Sequence, residues 1–192
     1  MKKLLLLALL MVLSLPLMAS AQEGAPRVEI FGGYALLRIS SPEPALPGLE
    51  SATGHGFSLS ASGNITKSFG VVGEFSRYSK SDALGKIAPG SNVDANVQTY
   101  LFGPRFTVRT GKAEPYFHFL IGSARGSVET SGDSQSGYAF AYVLGGGLDV
   151  KVHHNFAIRL GQLDFLQARV HDIGGVNCLR YSVGVVIRLG NR

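Results

Sequence analysis

The feature that most restricts the fold of this chain is an alternation of apolar and polar residues with a period of two. Between Gly56 and Ile65, one side of an extended chain would carry Phe57, Leu59, Ala61, Gly63 and Ile65, and the other side Gly56, Ser58, Ser60, Ser62 and Asn64. Side chains alternate between the two faces of a strand, so this stretch is predicted to be a strand with one apolar face. What each face touches decides the function of the protein.

About eight segments carry this alternation. They lie near residues 27–38, 56–66, 69–79, 96–109, 114–126, 138–151, 156–168 and 178–189. No amphipathic helix of convincing length is predicted after the N-terminal segment. The lengths of about 10 to 14 residues are sufficient for tilted strands that cross a bilayer, which need roughly 9 to 11.

The predicted connections alternate between long and short. Long links rich in Ser, Gly, Pro and Asp are expected at residues 39–55, 80–95, 127–137 and 169–177, and short turns at 66–68, 110–113 and 152–155. One end of the sheet would therefore carry long loops and the other end tight turns. This asymmetry is typical of outer-membrane barrels, which have extracellular loops and periplasmic turns.

The N-terminus has the three parts of a secretory signal peptide. Lys2 and Lys3 precede an apolar run from Leu4 to Leu13, and Ala19-Ser20-Ala21 forms an A-x-A cleavage signal. A membrane anchor is the alternative, but the run is shorter than the roughly 20 residues that a spanning helix needs. We expect a signal peptide over residues 1–21, cleaved after Ala21, and a barrel domain over residues 22–192.

Composition restricts the classes of function. Only 16% of the residues are charged, although soluble domains have about 25%. The net charge of +5 includes Lys2 and Lys3 and is too small to indicate nucleic-acid binding. Cys178 is the single cysteine, which excludes an intrachain disulfide. Because no later apolar run is long enough for a spanning helix, membrane attachment of the mature chain must come from strands.

The polar faces of the predicted strands distinguish a membrane barrel from a soluble one. A soluble barrel of lipocalin type would hold the aromatic rows inside and present Lys, Glu and Thr to water. The polar faces instead carry Gly, Ser and Ala with isolated charged or titratable residues: Glu29, Glu74, Arg105, His118, Asp149, Arg180 and Arg188. Small residues with a few charges suit the interior of a narrow eight-stranded barrel. The aromatic rows are therefore predicted to face lipid.

With this pattern, the chain resembles the OmpA-type family of small outer-membrane β-barrels, the outer membrane protein beta-barrel domain. The resemblance rests on the order of short blocks: VEIFGGYALLR, FGVVGEFS, FGPRFTVR, EPYFHFLIG, YVLGGGLDVKV, AIRLGQLDFL and RYSVGVVIRLG. It implies an all-β, eight-stranded antiparallel up-and-down barrel in the bacterial outer membrane, assembled by the barrel-insertion machinery. Members often end in an aromatic residue that aids insertion, whereas this chain ends in LGNR, so we expect the signal at Tyr181 to Leu189. The resemblance does not imply an enzymatic activity, because fold and function are separable.

The inward charges form the best-supported candidate site. An ion-pair network that plugs the lumen is predicted from Glu29, Glu74, Arg105, Asp149, Arg180 and Arg188, because each unpaired charge there would be costly. Glu29 and Arg188 lie on the first and last strands, which are neighbours in a closed barrel, and are the most specific predicted pair. A gated pore is the alternative. Arg159 is a further candidate for this network. Asp164 is at an even position and Arg159 at an odd one, so simple alternation would place them on opposite faces of strand seven. We therefore expect that strand seven either contains a bulge or ends early.

Catalysis is the rival class of function, because some small outer-membrane barrels modify lipid A. The histidines provide only a weak signal, since His153 and His154 lie in a turn and an inward His118 is more often a hydrogen-bonding residue than a base. We therefore expect no enzyme, catalytic residue, metal site or cofactor. The first predicted loop contains Pro42, Pro44 and Pro47, and loops on a rigid barrel commonly bind partners. The prediction is a monomeric barrel with a structural or surface-interaction role, in contact with outer-membrane lipid and lipopolysaccharide.

Overall fold

The computed structural model describes residues 25–40, 52–80, 94–109, 111–130, 133–170 and 174–191. These residues form eight antiparallel strands, each paired with the next, and the first pairs with the eighth to close a barrel. The strands are β1 Pro26–Ser40, β2 Ala52–Asn64, β3 Phe69–Lys80, β4 Asp94–Thr107, β5 Ala113–Thr130, β6 Asp133–His153, β7 Phe156–Val170 and β8 Gly174–Asn191. The prediction of an eight-stranded up-and-down barrel is confirmed. Within the described ranges, no helix is long and apolar enough to span a membrane.

Two predicted long loops are in fact mostly strand. β5 and β6 continue as one hairpin to residues 130 and 133, which occupies most of the predicted loop 127–137. β7 and β8 likewise replace most of the predicted loop 169–177. Both predictions were based on Gly and Ser content, but pairing with a neighbouring strand outweighs the weak β-propensity of these residues. Residues 41–51 and 81–93, predicted as parts of the first two long loops, lie outside the described residues.

The opposite end of the barrel carries the short connections. β2 ends at Asn64 and β3 begins at Phe69. The Thr66 hydroxyl accepts hydrogen bonds from the backbone N–H groups of Ser68 and Phe69, at 3.3 and 3.0 Å. A side chain that satisfies local backbone donors stabilises such a turn. We call this the turn end, and the end where β1, β3, β5 and β7 finish the loop end.

The two faces of the opening stretch lie on opposite sides of the barrel wall. Phe57 and Leu59 are 42% and 49% exposed on the outside, whereas Ser58 and Ser62 are buried inside. The same outward apolar row appears on the other strands, for example at Phe102, Phe117, Leu144 and Phe165. A closed sheet pairs its edge strands, and such an apolar outer surface suits lipid rather than water.

A bulge in β7 explains why Asp164 faces the same side of the barrel wall as Arg159. Asp149 pairs with Arg159 but the preceding Leu148 pairs with Gly161, so β7 contains one extra residue there. The register with β8 shifts at the same place, between Arg159 and Gln162. An extra residue reverses the alternation of a strand. Arg159 and Asp164, although of opposite parity in sequence, are therefore both buried inside the barrel.

Candidate functional site

The interior of the barrel contains charged residues from seven of the eight strands. These residues and His118 are each at most 5% exposed: Glu29 on β1, Glu74 on β3, Arg105 on β4, Glu114 and His118 on β5, Asp149 on β6, Arg159 and Asp164 on β7, and Arg180 and Arg188 on β8. β2 contributes Ser58, which accepts a hydrogen bond of 3.0 Å from Ser76. The alternation of each strand directs these side chains inward.

A turn-end cluster consists of Glu29, Arg109, Glu114 and Arg188. Glu29 and Arg188 are directly paired across β1 and β8, and Arg188 Nε lies 3.2 Å from Glu29 Oε1. Arg188 Nη2 donates to Glu114 Oε2 at 2.5 Å, and Arg109 Nη2 donates to Glu29 Oε2 at 3.0 Å. Two carboxylates thus face two guanidiniums across the barrel.

A central cluster surrounds Asp149. Its two oxygens accept hydrogen bonds from Arg159 Nε at 2.8 Å and from Arg159 Nη2 at 3.1 Å, and Arg105 Nη2 also donates at 2.8 Å. The guanidinium carbons of Arg105 and Arg159 lie 3.9 and 4.5 Å from the ring centroid of Tyr116. Charge-assisted, bidentate contacts of this kind are the strongest hydrogen bonds in proteins, and the ring adds a cation–π contribution.

A third cluster, nearer the loop end, is formed by Glu74, His118, Asp164 and Arg180. Arg180 is fully buried and forms ion pairs with both Glu74 and Asp164. His118 Nε2 lies 2.8 Å from Asp164 Oδ1. Removal of one partner from a buried ion pair upsets the charge compensation, so substitutions in this cluster are expected to lower the stability of the fold.

Gln162 joins the central and third clusters. Its Oε1 accepts hydrogen bonds from Arg159 Nη1 at 2.6 Å and from the Tyr116 hydroxyl at 2.7 Å. Its Nε2 donates to Glu74 at 3.2 Å and to Asp164 at 2.7 Å. The carboxamide therefore presents its acceptor to the cation and its donor to the carboxylates, which is the only orientation that satisfies all four groups.

The three clusters balance one another in charge. Five carboxylates, Glu29, Glu74, Glu114, Asp149 and Asp164, form ion pairs with five guanidiniums, Arg105, Arg109, Arg159, Arg180 and Arg188. We call this set, together with His118 and Gln162, the lumen network. Its side chains extend across the barrel from several strands. Compensation of this kind is what makes buried charge tolerable.

The six residues predicted from the sequence all belong to the lumen network. They form three ion pairs: Glu29 with Arg188, Glu74 with Arg180, and Asp149 with Arg105. Arg159, a further candidate from the sequence, also takes part through Asp149.

Sequence reasoning missed several members of the network. Glu114 has the same parity as His118 on β5 and could have been found by extending that strand toward its turn. Arg109 shares the parity of Arg105 but lies beyond the end of β4. Gln162 and Asp164 face inward only because of the β7 bulge, for which the sequence provides no more than the parity conflict.

Glycines in β6 provide space for this network. A Cβ atom on Gly145 would lie 1.9 Å from Asp164 Oδ1, and one on Gly147 would lie 2.6 Å from the Tyr116 hydroxyl oxygen. Both distances are below any tolerable contact, so a glycine is required at each position to admit the opposing side chain.

Among the described residues, no group of three or more His, Cys, Asp or Glu side chains is arranged to hold a metal ion. The carboxylates of the lumen network are instead paired with guanidiniums.

A closed antiparallel sheet with an apolar exterior and a charged, narrow interior defines the class of transmembrane β-barrels. The chain matches the family described as "Outer membrane protein beta-barrel domain" over residues 5–187, and it belongs to that family. It is a protein of the bacterial outer membrane, and its apolar outer face contacts lipid. A sequence search of curated proteins found no match.

Solved structures share the fold. The attachment invasion locus protein Ail of Yersinia pestis is 21% identical, with 88% of this chain and 100% of that chain covered and a TM-score of 0.59. Neisserial surface protein A is 18% identical, with 87% and 100% covered and a TM-score of 0.63. OprG of Pseudomonas aeruginosa is 10% identical, with 88% and 98% covered and a TM-score of 0.52. At these identities the likeness supports the fold alone.

Proposed function

We propose that this outer-membrane barrel is closed by its lumen network and has a structural or surface-interaction role at its loop end. The observation that carries the proposal is the set of five carboxylates and five guanidiniums paired across the interior. An eight-stranded barrel has only enough internal space for its own side chains. Ions entering the barrel would have to displace paired and buried charges.

Planar-bilayer conductance tests the closed lumen. The wild-type protein is expected to give no stable single-channel current. Arg105→Ala and Glu74→Ala are expected to conduct, because each opens space in the lumen and removes one charge from the balanced set of five carboxylates and five guanidiniums. Lys112→Ala, at an exposed position of the turn end, is the matched control and should remain silent. A gel shift between boiled and unboiled samples verifies that each variant is folded. A stable current through the wild-type protein would favour the narrow pore instead.

Lipopolysaccharide is the proposed partner of the loop-end rim. Four outward-facing arginines lie near the loop end, one on each odd-numbered strand: Arg38, Arg77, Arg125 and Arg169. Guanidinium groups bind phosphate through paired hydrogen bonds. A basic ring of this kind suits the phosphates of the outer leaflet.

The unfolding midpoint in vesicles tests this contact. Vesicles that contain lipopolysaccharide are expected to stabilise the wild-type protein more than phospholipid vesicles do, and a variant with Arg38, Arg77 and Arg169 changed to Ala should lose most of that difference. The matched control replaces Lys67, Lys112 and Lys151, which are exposed at the turn end, by Ala. Equal losses in both triple variants would rule out a specific role of the rim.

The proposal includes no enzymatic activity. His118 and Asp164 form a pair of 2.8 Å that resembles part of a catalytic triad, but they are 3% and 0% exposed and held within the lumen network. We assign His118 a structural role. The mass spectrum of lipid A should be identical in cells that express the wild-type protein, the His118→Ala variant or neither. A modification that requires His118 would establish an enzyme.

Export through a cleaved signal peptide and assembly by the barrel-insertion machinery complete the proposal. Residues 1–24 lie outside the described residues, and the support is the pattern of Lys2, Lys3 and Ala19 to Ala21. N-terminal sequencing of protein from the outer membrane should begin at Gln22. A chain that retains Met1 would contradict cleavage.

A further inference from the structure

The loop-end half of the barrel interior differs in chemistry from the lumen network. It contains a cavity of about 490 Å³. Its lining includes Leu37, Ile39, Val97, Leu166, Val176 and Cys178, contributed by β1, β4, β7 and β8. None of the described lining residues carries a charge. The sequence analysis did not predict this apolar half, because it treated the inward faces as small residues with isolated charges.

One polar side chain in the cavity lining has an unsatisfied group. Thr99 is fully buried, and its Oγ1 has no hydrogen-bond partner among the described residues. A buried hydroxyl without a partner costs about 1–3 kcal/mol. Thr99 is paired across the sheet with Ser76, which contacts Arg180 of the lumen network. The hydroxyl therefore lies where the apolar half of the interior meets the charged half.

The third cluster of the network, in which Arg180 bridges Glu74 and Asp164, lies further from the loop end than the cavity lining. On β7 Asp164 precedes the lining residue Leu166, and on β8 Arg180 follows the lining residue Cys178. Each lining residue of β1, β4, β7 and β8 named above is close to the loop end of its strand, as Ile39 and Val97 illustrate. The cavity therefore lies toward the loop end of the barrel, which faces the cell exterior.

We propose that this cavity is a binding site for one small, uncharged and largely apolar molecule that carries a single hydrogen-bonding group. Pockets of about 300–1,000 Å³ with an apolar lining and few polar groups are typical of small-molecule sites. The ligand buries its apolar body against the aliphatic side chains and pairs its polar group with Thr99 Oγ1. A charged ligand is excluded, because the described lining residues offer no counter-charge and burial of an isolated ion is costly. This site does not depend on the proposed contact with lipopolysaccharide.

Cys178 is a built-in reporter, because it is the single cysteine of the chain and lines the cavity. The full-length protein is purified from outer membranes and reconstituted in phospholipid vesicles, and alkylation of Cys178 by N-ethylmaleimide is followed by mass spectrometry. The probe is 1-octanol, and octyltrimethylammonium is the charged comparison. We expect 1-octanol to slow alkylation in a saturable manner and the ammonium compound to have no effect.

Matched variants separate binding from nonspecific partition into lipid. Thr99→Val should raise the 1-octanol concentration needed for half-maximal protection about fivefold, as expected for one lost hydrogen bond. Thr107→Val, a buried threonine of the same strand that does not line the cavity, should leave it unchanged. A thiol at the exposed Thr53, introduced as Thr53→Cys together with Cys178→Ser, should not be protected.

Three results would overturn the proposal. Equal protection of the thiol at position 53 would show that 1-octanol acts through the lipid. Alkylation of Cys178 that does not respond to 1-octanol would show that the cavity binds nothing of this class. A thiol that resists alkylation without any probe, but reacts in unfolded protein, would show that the chain itself fills the cavity.

Discussion

The interior of this barrel depends on single residues that leave space for others. Gly145 on β6 is paired with Asp164 on β7, and the Asp164 carboxylate occupies the volume that a side chain on Gly145 would need. Asp164 in turn contacts His118 and Arg180. Replacement of one hydrogen by a methyl group at Gly145 would therefore displace the Asp164 carboxylate and disturb the third cluster of the lumen network.

We predict that Gly145→Ala lowers the free energy of unfolding by about 1–3 kcal/mol, the usual cost of overpacking. Gly73→Ala is the control, because a Cβ atom there would meet nothing within 4 Å. Urea unfolding of both variants in phospholipid vesicles measures the difference. Similar stability of the two variants would mean that Asp164 moves aside without losing its partners.

At the scale of the element, each strand has an outward row that meets different depths of the bilayer. On β6, Leu144 lies near the middle of the strand and is 48% exposed, whereas Val152 lies at the turn end and is 63% exposed. Both side chains are on the outer surface of the barrel. Their tolerance of charge should differ because the hydrocarbon core offers a cation no partner, while the interface offers water and headgroups.

We predict that Leu144→Arg destabilises the barrel by about 2–4 kcal/mol and Val152→Arg by at most about 1 kcal/mol. The measurement is the folded fraction in vesicles over a range of urea concentrations, read from the gel shift between unboiled and boiled samples. Leu144→Phe controls for the loss of leucine packing and should be nearly neutral. If the two arginine variants were equally stable, the apolar row of β6 would not lie in lipid.

At the scale of the whole molecule, Gln162 connects parts of the interior that would otherwise be separate. The turn-end and central clusters are linked by Arg105, which lies 3.6 Å from Glu29 and 2.8 Å from Asp149. The central and third clusters are linked through Gln162. The network thus extends as one connected set through the lumen. Gln162 is the uncharged residue that links its central and third clusters.

We predict that Gln162→Leu lowers the free energy of unfolding by about 2–3 kcal/mol, because Arg159, Glu74 and Asp164 each lose a buried partner. Gln167→Leu is the matched control. Gln167 is half-buried near the loop end, donates to Asn177 at 2.9 Å and accepts a hydrogen bond from the Tyr142 hydroxyl. Its cost should be below about 1 kcal/mol. Equilibrium unfolding of both variants decides between a connected network and independent clusters.

The pattern of the sequence was sufficient for the fold because two independent sequence features agreed. Alternation in segments such as Gly56 to Ile65 predicts strands, and the lack of a later spanning helix leaves a closed sheet as the way to satisfy every backbone group in lipid. The same alternation predicted the inward direction of Glu29, Glu74, Arg105, Asp149, Arg180 and Arg188. These are local properties of a strand, so they can be read without knowledge of the partner strands.

The lengths of the hairpins were not determined by local pattern. Ser- and Gly-rich segments at residues 127–137 and 169–177 have weak strand preference by themselves, yet they are mostly strand in the barrel. Their pairing follows from the neighbouring strand, which supplies hydrogen bonds along the whole hairpin.

By itself, the sequence determined which side chains of most strands face inward and that the outward face is apolar. Only the tertiary structure decided which charges meet and that the β7 bulge brings Gln162 and Asp164 into the lumen network. It also decided that an apolar cavity lies beside the network, lined by a Thr99 hydroxyl that has no hydrogen-bond partner among the described residues. The physical reason is that the direction of a side chain, inward or outward, depends on its own strand, whereas the distances across a barrel depend on the register of all eight strands.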